Sequence, residues 1–204
     1  MNQVSFCPPV GIVLRHQSLR DAAKIVTRGR LIASARARFL DLGYEATTLR
    51  DVAADAGRSI GAVFNCFSDK LDLLEVVLAD EAVGLGEAAR AAISRSSDFA
   101  DTLYRMHNLM TEPSVAQLVL IERHLPPERR EVQAALHSVL MEAAVEAREH
   151  GEIVPHIQPE LICGLIWDLL AARCQDILDD HAEPDASLSI TRDRIDLLMT
   201  ALTP

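Results

Sequence analysis

The stretch TLRDVAADAGRSIGAVFNCF, residues 48–67, combines residue types and spacing that suit recognition of a nucleic acid rather than bond-making. Thr48-x-x-Asp51 is a capping box that opens one short helix, to about Ala56, and Gly57 supplies the tight turn into a second, about Ser59 to Cys66. In a helix-turn-helix the first helix crosses the DNA backbone and the second lies in the major groove. Val52, Ala53 and Ala56 can meet Val63 and Phe67 across the turn, because residues four apart share a helical face. The spacing alone is not specific, since many α-hairpins carry capped helices with a glycine between them.

Groups suited to holding phosphate surround this stretch. They are Thr48 at a helix N-terminus, Arg50, and Lys70 beside the start of a fourth helix, where backbone N–H groups already favour an anion. Arg28 and Arg30 precede it. Net charge over the chain is −10, which argues against a sequence-blind nucleic-acid binder. The charge is unevenly placed. Residues 1–72 hold ten Lys and Arg against seven acids, a net of +3, so the remaining residues carry −13. Such asymmetry indicates that the N-terminal part alone approaches an anion.

Catalytic spacing is missing: the sequence has no GxSxG, GxxxxGK[ST], HExxH or glycine-rich dinucleotide loop. An enzyme is therefore not expected, nor a cofactor. His107, His124 and His137 form no His-x-x-His or i, i+4 pair, so no metal site is expected. The four cysteines, Cys7, Cys66, Cys163 and Cys174, lack CxxC spacing and are expected as free thiols. Cys66, beside the second short helix and near several arginines, reads either as a redox-responsive thiol or as an inert, half-buried one.

Helical periodicity dominates, without the alternation of strands, and the chain is expected to be all-α with about nine helices. Hydrophobic residues make up 49% and charged residues 25%, and no apolar run approaches the roughly 20 residues of a membrane span. The N-terminal apolar patch is interrupted by two prolines and lacks a preceding basic segment. A cytoplasmic protein is the expectation. Three parts are expected. Residues 1–26 form an N-terminal extension, disordered or partly helical; 27–72 hold the helix-turn-helix domain; 73–204 form a helical body. A firm first helix starts with Thr27 as N-cap, puts Leu31, Ile32, Ala35, Phe39 and Leu42 on one face and ends at Gly43. Asp69, answered by Asp72, opens the fourth helix, which runs to about Ser94. Body helices are expected near 98–110, 114–124, 127–149, 158–180 and 187–202, broken at proline-bearing positions.

Residues 31–78 resemble the N-terminal DNA-binding domain of the tetracycline-repressor (TetR) family of transcriptional regulators. The landmarks in register are Phe39, Gly43-Tyr44, Ala46-Thr47-Thr48, Val52-Ala53, Ala56-Gly57, Ser59, Gly61, Phe67 and Lys70 followed by Leu73-Leu74. The resemblance implies a ligand-responsive regulator, most often a repressor. In such a protein a homodimer presents two heads to double-stranded DNA while the bodies bind a small molecule and each other. The family's recognition helix reads approximately V-S-K-G-T-L-Y-x-Y-F, and here the aligned run is Arg58, Ser59, Ile60, Gly61, Ala62, Val63, Phe64, Asn65, Cys66 and Phe67. Lysine becomes Ile60, threonine Ala62 and the first tyrosine Phe64. Two readings compete. In one, Ile60, Ala62 and Phe64 contact thymine methyls, Asn65 reads adenine edges and Arg58 replaces the lost lysine on a phosphate. In the other, the head has diverged, its DNA binding is weakened or lost, and the protein acts through protein contacts. The basic segment from Arg15 to Arg30 reads either as an arm along the DNA backbone or as a solvated tail.

In the body, Tyr104, Met106, His107, Met110, His124, His137, Met141 and Trp167 fit either an apolar ligand cavity with a few polar handles or plain core. The run LICGLIWDLLAARCQDIL is apolar around most of its circumference, so Leu161, Leu165, Ile166, Leu169 and Leu170 must be covered on several sides. Ile195, Leu198, Met199 and Leu202 offer a compatible face on the last helix. The resemblance implies that these two helices pair with their symmetry mates as a four-helix dimer interface. That arrangement would call for a pseudo-palindromic operator.

Overall fold

The computed structural model describes residues 10–178 and 184–203, and Cys7 lies outside them. The described residues form nine α-helices and divide into two compact units, residues 1–73 and 74–204, here called head and body.

The head contains α1 (Val10–Leu42), α2 (Leu49–Asp55), α3 (Ile60–Phe64) and the start of α4 (Lys70–Ile93). The expected break at Thr27 is absent, and α1 runs through it as one helix. An N-cap needs a chain arriving from non-helical geometry, whereas no proline lies between Val10 and Thr27 and Leu19 to Lys24 are mostly good helix formers. Leu31, Ala35 and Phe39 of α1 are buried, together with Val52, Ala53, Val63 and Phe67. The helix stops at Gly43, whose φ of 83° suits a residue without Cβ and whose N–H donates back to the Phe39 carbonyl at 3.2 Å. Polar ties fix the next elements. Ser34 Oγ donates to the Val52 carbonyl at 3.1 Å, and Arg38 Nε pairs with Asp55 at 2.5 Å, so α1 holds α2 at its middle and its C-terminal end. Thr47, buried, donates its hydroxyl to the Gly43 carbonyl at 2.9 Å.

The body holds the rest of α4, then α5 (Phe99–Met110), α6 (Pro113–Ile121), α7 (Glu131–Glu149), α8 (Pro159–Leu178) and α9 (Pro184–Leu202). Phe99, Thr102, Leu103, Met106, His107 and Met110 make the buried stripe of α5, spaced as an amphipathic helix requires. Two single 3-10 turns, Glu122–His124 and Pro127–Arg129, occupy what was expected as helix at 122–124 and 127–130. Pro126 and Pro127 remove consecutive backbone donors there, so α7 begins only at Glu131. No side chain at the N-cap position serves α7. Instead Glu122, fully buried, accepts from Val132 N at 2.6 Å and Gln133 N at 2.7 Å. Burial raises its carboxyl above the ordinary value, although those two backbone bonds pull the other way.

Candidate nucleic-acid interface

Geometry of the head starts with the two caps. Thr48 Oγ1 accepts from Asp51 N at 3.2 Å, and Asp51 Oδ2 accepts from Thr48 N at 3.2 Å and from the Thr48 hydroxyl at 2.6 Å. The Thr48 hydroxyl bond, foremost, holds the Asp51 carboxyl below its usual range. Gly57 makes the turn with φ of 64°, and Arg58 N donates to the Ala53 carbonyl at 2.8 Å. Ser59 then caps α3, its Oγ accepting from Ala62 N at 3.3 Å. The helix spans five residues, shorter than the expected run to Cys66, with Asn65 as C-cap.

Along α3 the side chains separate by face. Val63 points into the head core and is fully buried. Ile60 and Phe64, one turn apart, are 37% and 57% exposed. Ala62 is half-buried, while Ser59, Gly61 and Asn65 are exposed. Arg58 is half-buried, and its Nε is enclosed without a hydrogen-bond partner. No basic side chain lies on α3 itself.

Several cations of the head are engaged internally. The Arg28 guanidinium lies over the Phe67 ring, 4.9 Å from its centroid, and Lys70 Nζ over the Tyr44 ring at 4.0 Å. Arg30 and Arg50 are exposed. The pairings with Phe67 and Tyr44 join residues far apart in the chain, and no local pattern announces them. At the start of α4, Asp69 Oδ1 accepts from Asp72 N at 2.8 Å and Asp72 Oδ2 from Ser68 N at 2.7 Å, a second reciprocal cap.

In the body, the residues named as cavity lining are dispersed. Tyr104 opens onto a recess of about 580 Å³ with Asn108, Arg192 and Asp196, and its hydroxyl donates to Asp196. That bond pushes the Tyr104 phenol up to about 12. Trp167 borders a different recess, about 340 Å³, with Glu122, Arg123 and Arg130. His107 and Met110 are fully buried, His137 and Met141 half-buried and His124 exposed. Among the described residues, neither ring nitrogen of His107 has a hydrogen-bond partner. Burial first, then the charges of Arg173 and Arg192, holds this imidazole below its ordinary value. Arg173, itself buried, is the residue here that sequence reasoning missed; an arginine inside the apolar run of α8 was the available signal.

The apolar residues of α8 and α9 divide in the same way. Ile166, Leu170, Ile195 and Leu202 are buried within the chain, and Leu169, Leu198 and Met199 are half-buried. Leu161 and Leu165, at 60% and 51%, face outward, joined by Leu197 of α9 at 73%. Cys163 and Cys174 are buried free thiols pushed up to about 11, and Cys66 is a free, half-buried one. Among the described residues no helix is long and apolar enough to cross a membrane.

The capped pair of short helices in the N-terminal unit has the arrangement that helix-turn-helix DNA-binding proteins use. Residues 31–77 match the family model described as "Bacterial regulatory proteins, tetR family". The head of this chain is therefore similar to the DNA-binding domain of that family. Solved structures share its fold. A TetR-family transcriptional regulator from Pectobacterium atrosepticum is 23% identical, with 89% of this chain and 96% of that chain covered and a TM-score of 0.68. The transcriptional regulator FadR from Bacillus subtilis, in complex with stearoyl-CoA, is 17% identical over 85% and 98% of the two chains, with a TM-score of 0.66. A transcriptional regulator from Saccharomonospora viridis in complex with choline is 18% identical over 85% and 95%, with a TM-score of 0.63. No curated protein sequence matches the chain.

Proposed function

We propose that the protein is a cytoplasmic, ligand-responsive repressor that binds a pseudo-palindromic operator as a homodimer. The observation that carries this reading is the outward face of α3. Ile60 and Phe64 are exposed on a helix whose other face, with Val63, is built into the head core, so the helix is fixed in orientation and free on the side a groove would receive. Arg50 and Arg30 are exposed on the same unit and suit phosphate contacts. Dimerisation is supported by Leu161 and Leu165, an exposed leucine pair one turn apart on α8. Two relatives of the same fold are described in complex with stearoyl-CoA and with choline, which supports a small-molecule effector in the body. His107, a buried polar group without a protein partner, is its best candidate handle. Effector and operator then act on one another through a reciprocal coupling free energy.

A second reading, a diverged member acting through protein contacts, is favoured by one observation: α3 offers apolar surface and no cation. Selection of duplexes from a random DNA pool by the purified full chain, at low and raised salt, separates the two. The operator reading expects an enriched pseudo-palindrome whose affinity falls steeply with salt, and a loss of affinity in Arg50→Ala with folding intact. Absence of enrichment at low salt from folded protein overturns it.

A further inference from the structure

We infer that the head selects its operator through the C5-methyl groups of thymines, contacted in the major groove by Ile60 and Phe64. This rests on the operator reading above and names what that site recognises. The hydrogen-bonding side chains on α3 and beside it are few. Ser59 Oγ caps Ala62 N, Arg58 Nε is enclosed, Val63 is core, and Gly61 and Ala62 have no polar side-chain atom. Asn65, at the C-cap, is the one exposed amide. What remains on the outer face is a β-branched sec-butyl side chain and a benzyl ring one turn apart, both open to water.

In the major groove each base pair presents donors and acceptors, and only the thymine C5-methyl is an apolar feature. An apolar side chain set against a donor or acceptor leaves that group desolvated and unpaired, which is unfavourable. Set against a methyl, the same side chain removes apolar surface from water on both partners. The occupant is argued from charge as well: the unit that bears this face is +3 in a chain of −10, so it meets a polyanion while the rest of the chain repels one. Ile60 and Phe64 therefore discriminate by position, accepting A·T pairs in the orientation that points the methyl at them.

The experiment uses the full chain and a duplex recovered by selection. Each thymine is replaced in turn by deoxyuridine, which deletes the methyl and leaves the pairing edge unchanged, and Kd is read by fluorescence anisotropy. Burial of one methyl-sized group corresponds to about fourfold in Kd, so a loss of about that size is expected at a few discrete positions in each half-site. Phe64→Ala and Ile60→Ala alter exposed side chains, and in each variant the thymine and deoxyuridine duplexes should bind alike at the positions that residue reads. A duplex bound sequence-specifically but indifferent to deoxyuridine at every position would overturn methyl readout and leave the operator reading standing. Failure to enrich any duplex would overturn both.

Discussion

His107 gives the sharpest test of how the body is built. Its side chain is fully buried, both ring nitrogens lack partners among the described residues, and the Arg173 and Arg192 charges act on it from α8 and α9. A buried, unsatisfied polar group costs about 1–3 kcal/mol. His107→Leu, close in volume and without polar atoms, should therefore raise stability by on the order of 1–3 kcal/mol near pH 8. The pH dependence has a fixed sign. The native imidazole is held below its ordinary value, so the unfolded chain takes up the proton first as pH falls through about 6.5, and stability is lost in that direction. At about pH 5.5 an unfolded imidazole of ordinary pKa is protonated roughly ten to one, which sets a ceiling of about 1.4 kcal/mol on the loss relative to pH 8. Urea denaturation of wild type and His107→Leu at both pH values isolates this contribution, because every other titrating group is common to the two proteins. The variant should lack that share of the acid sensitivity. A variant that is destabilised near pH 8, or that keeps the full acid sensitivity of wild type, would refute the claim that these nitrogens are orphaned, and would mean that a tightly held water or ligand satisfies them.

Two further substitutions test the caps and the outer face of the body. Thr48→Ala removes the two bonds of the Thr48 hydroxyl in the α2 cap, keeps the bond from its backbone N to Asp51, and should lower stability by about 1 kcal/mol, measured by urea denaturation; an unchanged midpoint would show that the hydroxyl contributes nothing to holding α2. Leu161→Glu with Leu165→Glu introduces charge on an exposed face, so each chain should still fold. Each buried leucine contributes about 1.5–3 kcal/mol, and sedimentation velocity should find the double variant monomeric where the wild type is dimeric. A variant that stays dimeric would place the interface elsewhere.

How far the sequence could be read depends on the range of each interaction. The Thr48–Asp51 cap, the glycine turn at Gly57 and the inward pair Val63 and Phe67 were all legible, because each lies within a few residues and follows helical spacing. The continuity of α1 was not: Thr27 carries a local N-cap signal, and the helix-forming residues before it override that signal. Arg28 over Phe67 and Lys70 over Tyr44 join distant parts of the chain, and only the folded head brings them together. In α8, apolarity on all sides was visible, but which leucines the chain covers for itself was not. Ile166 and Leu170 turn inward against the body, leaving Leu161 and Leu165 outside. The orphaned nitrogens of His107 and the burial of Arg173 are likewise properties of packing.

The internal pairing of Arg28, Arg38 and Lys70 also bears on how the regulator searches a chromosome. Sequence-blind affinity grows with the number of phosphates neutralised, and it is this affinity that lets a protein slide along bulk DNA. On the operator reading, a head with three of its ten basic side chains tied to rings or to Asp55 would have fewer free to follow phosphates at a wrong site. Its search would proceed by repeated three-dimensional encounters more than by long slides. Fewer copies would then be sequestered on the vast excess of competing sequence.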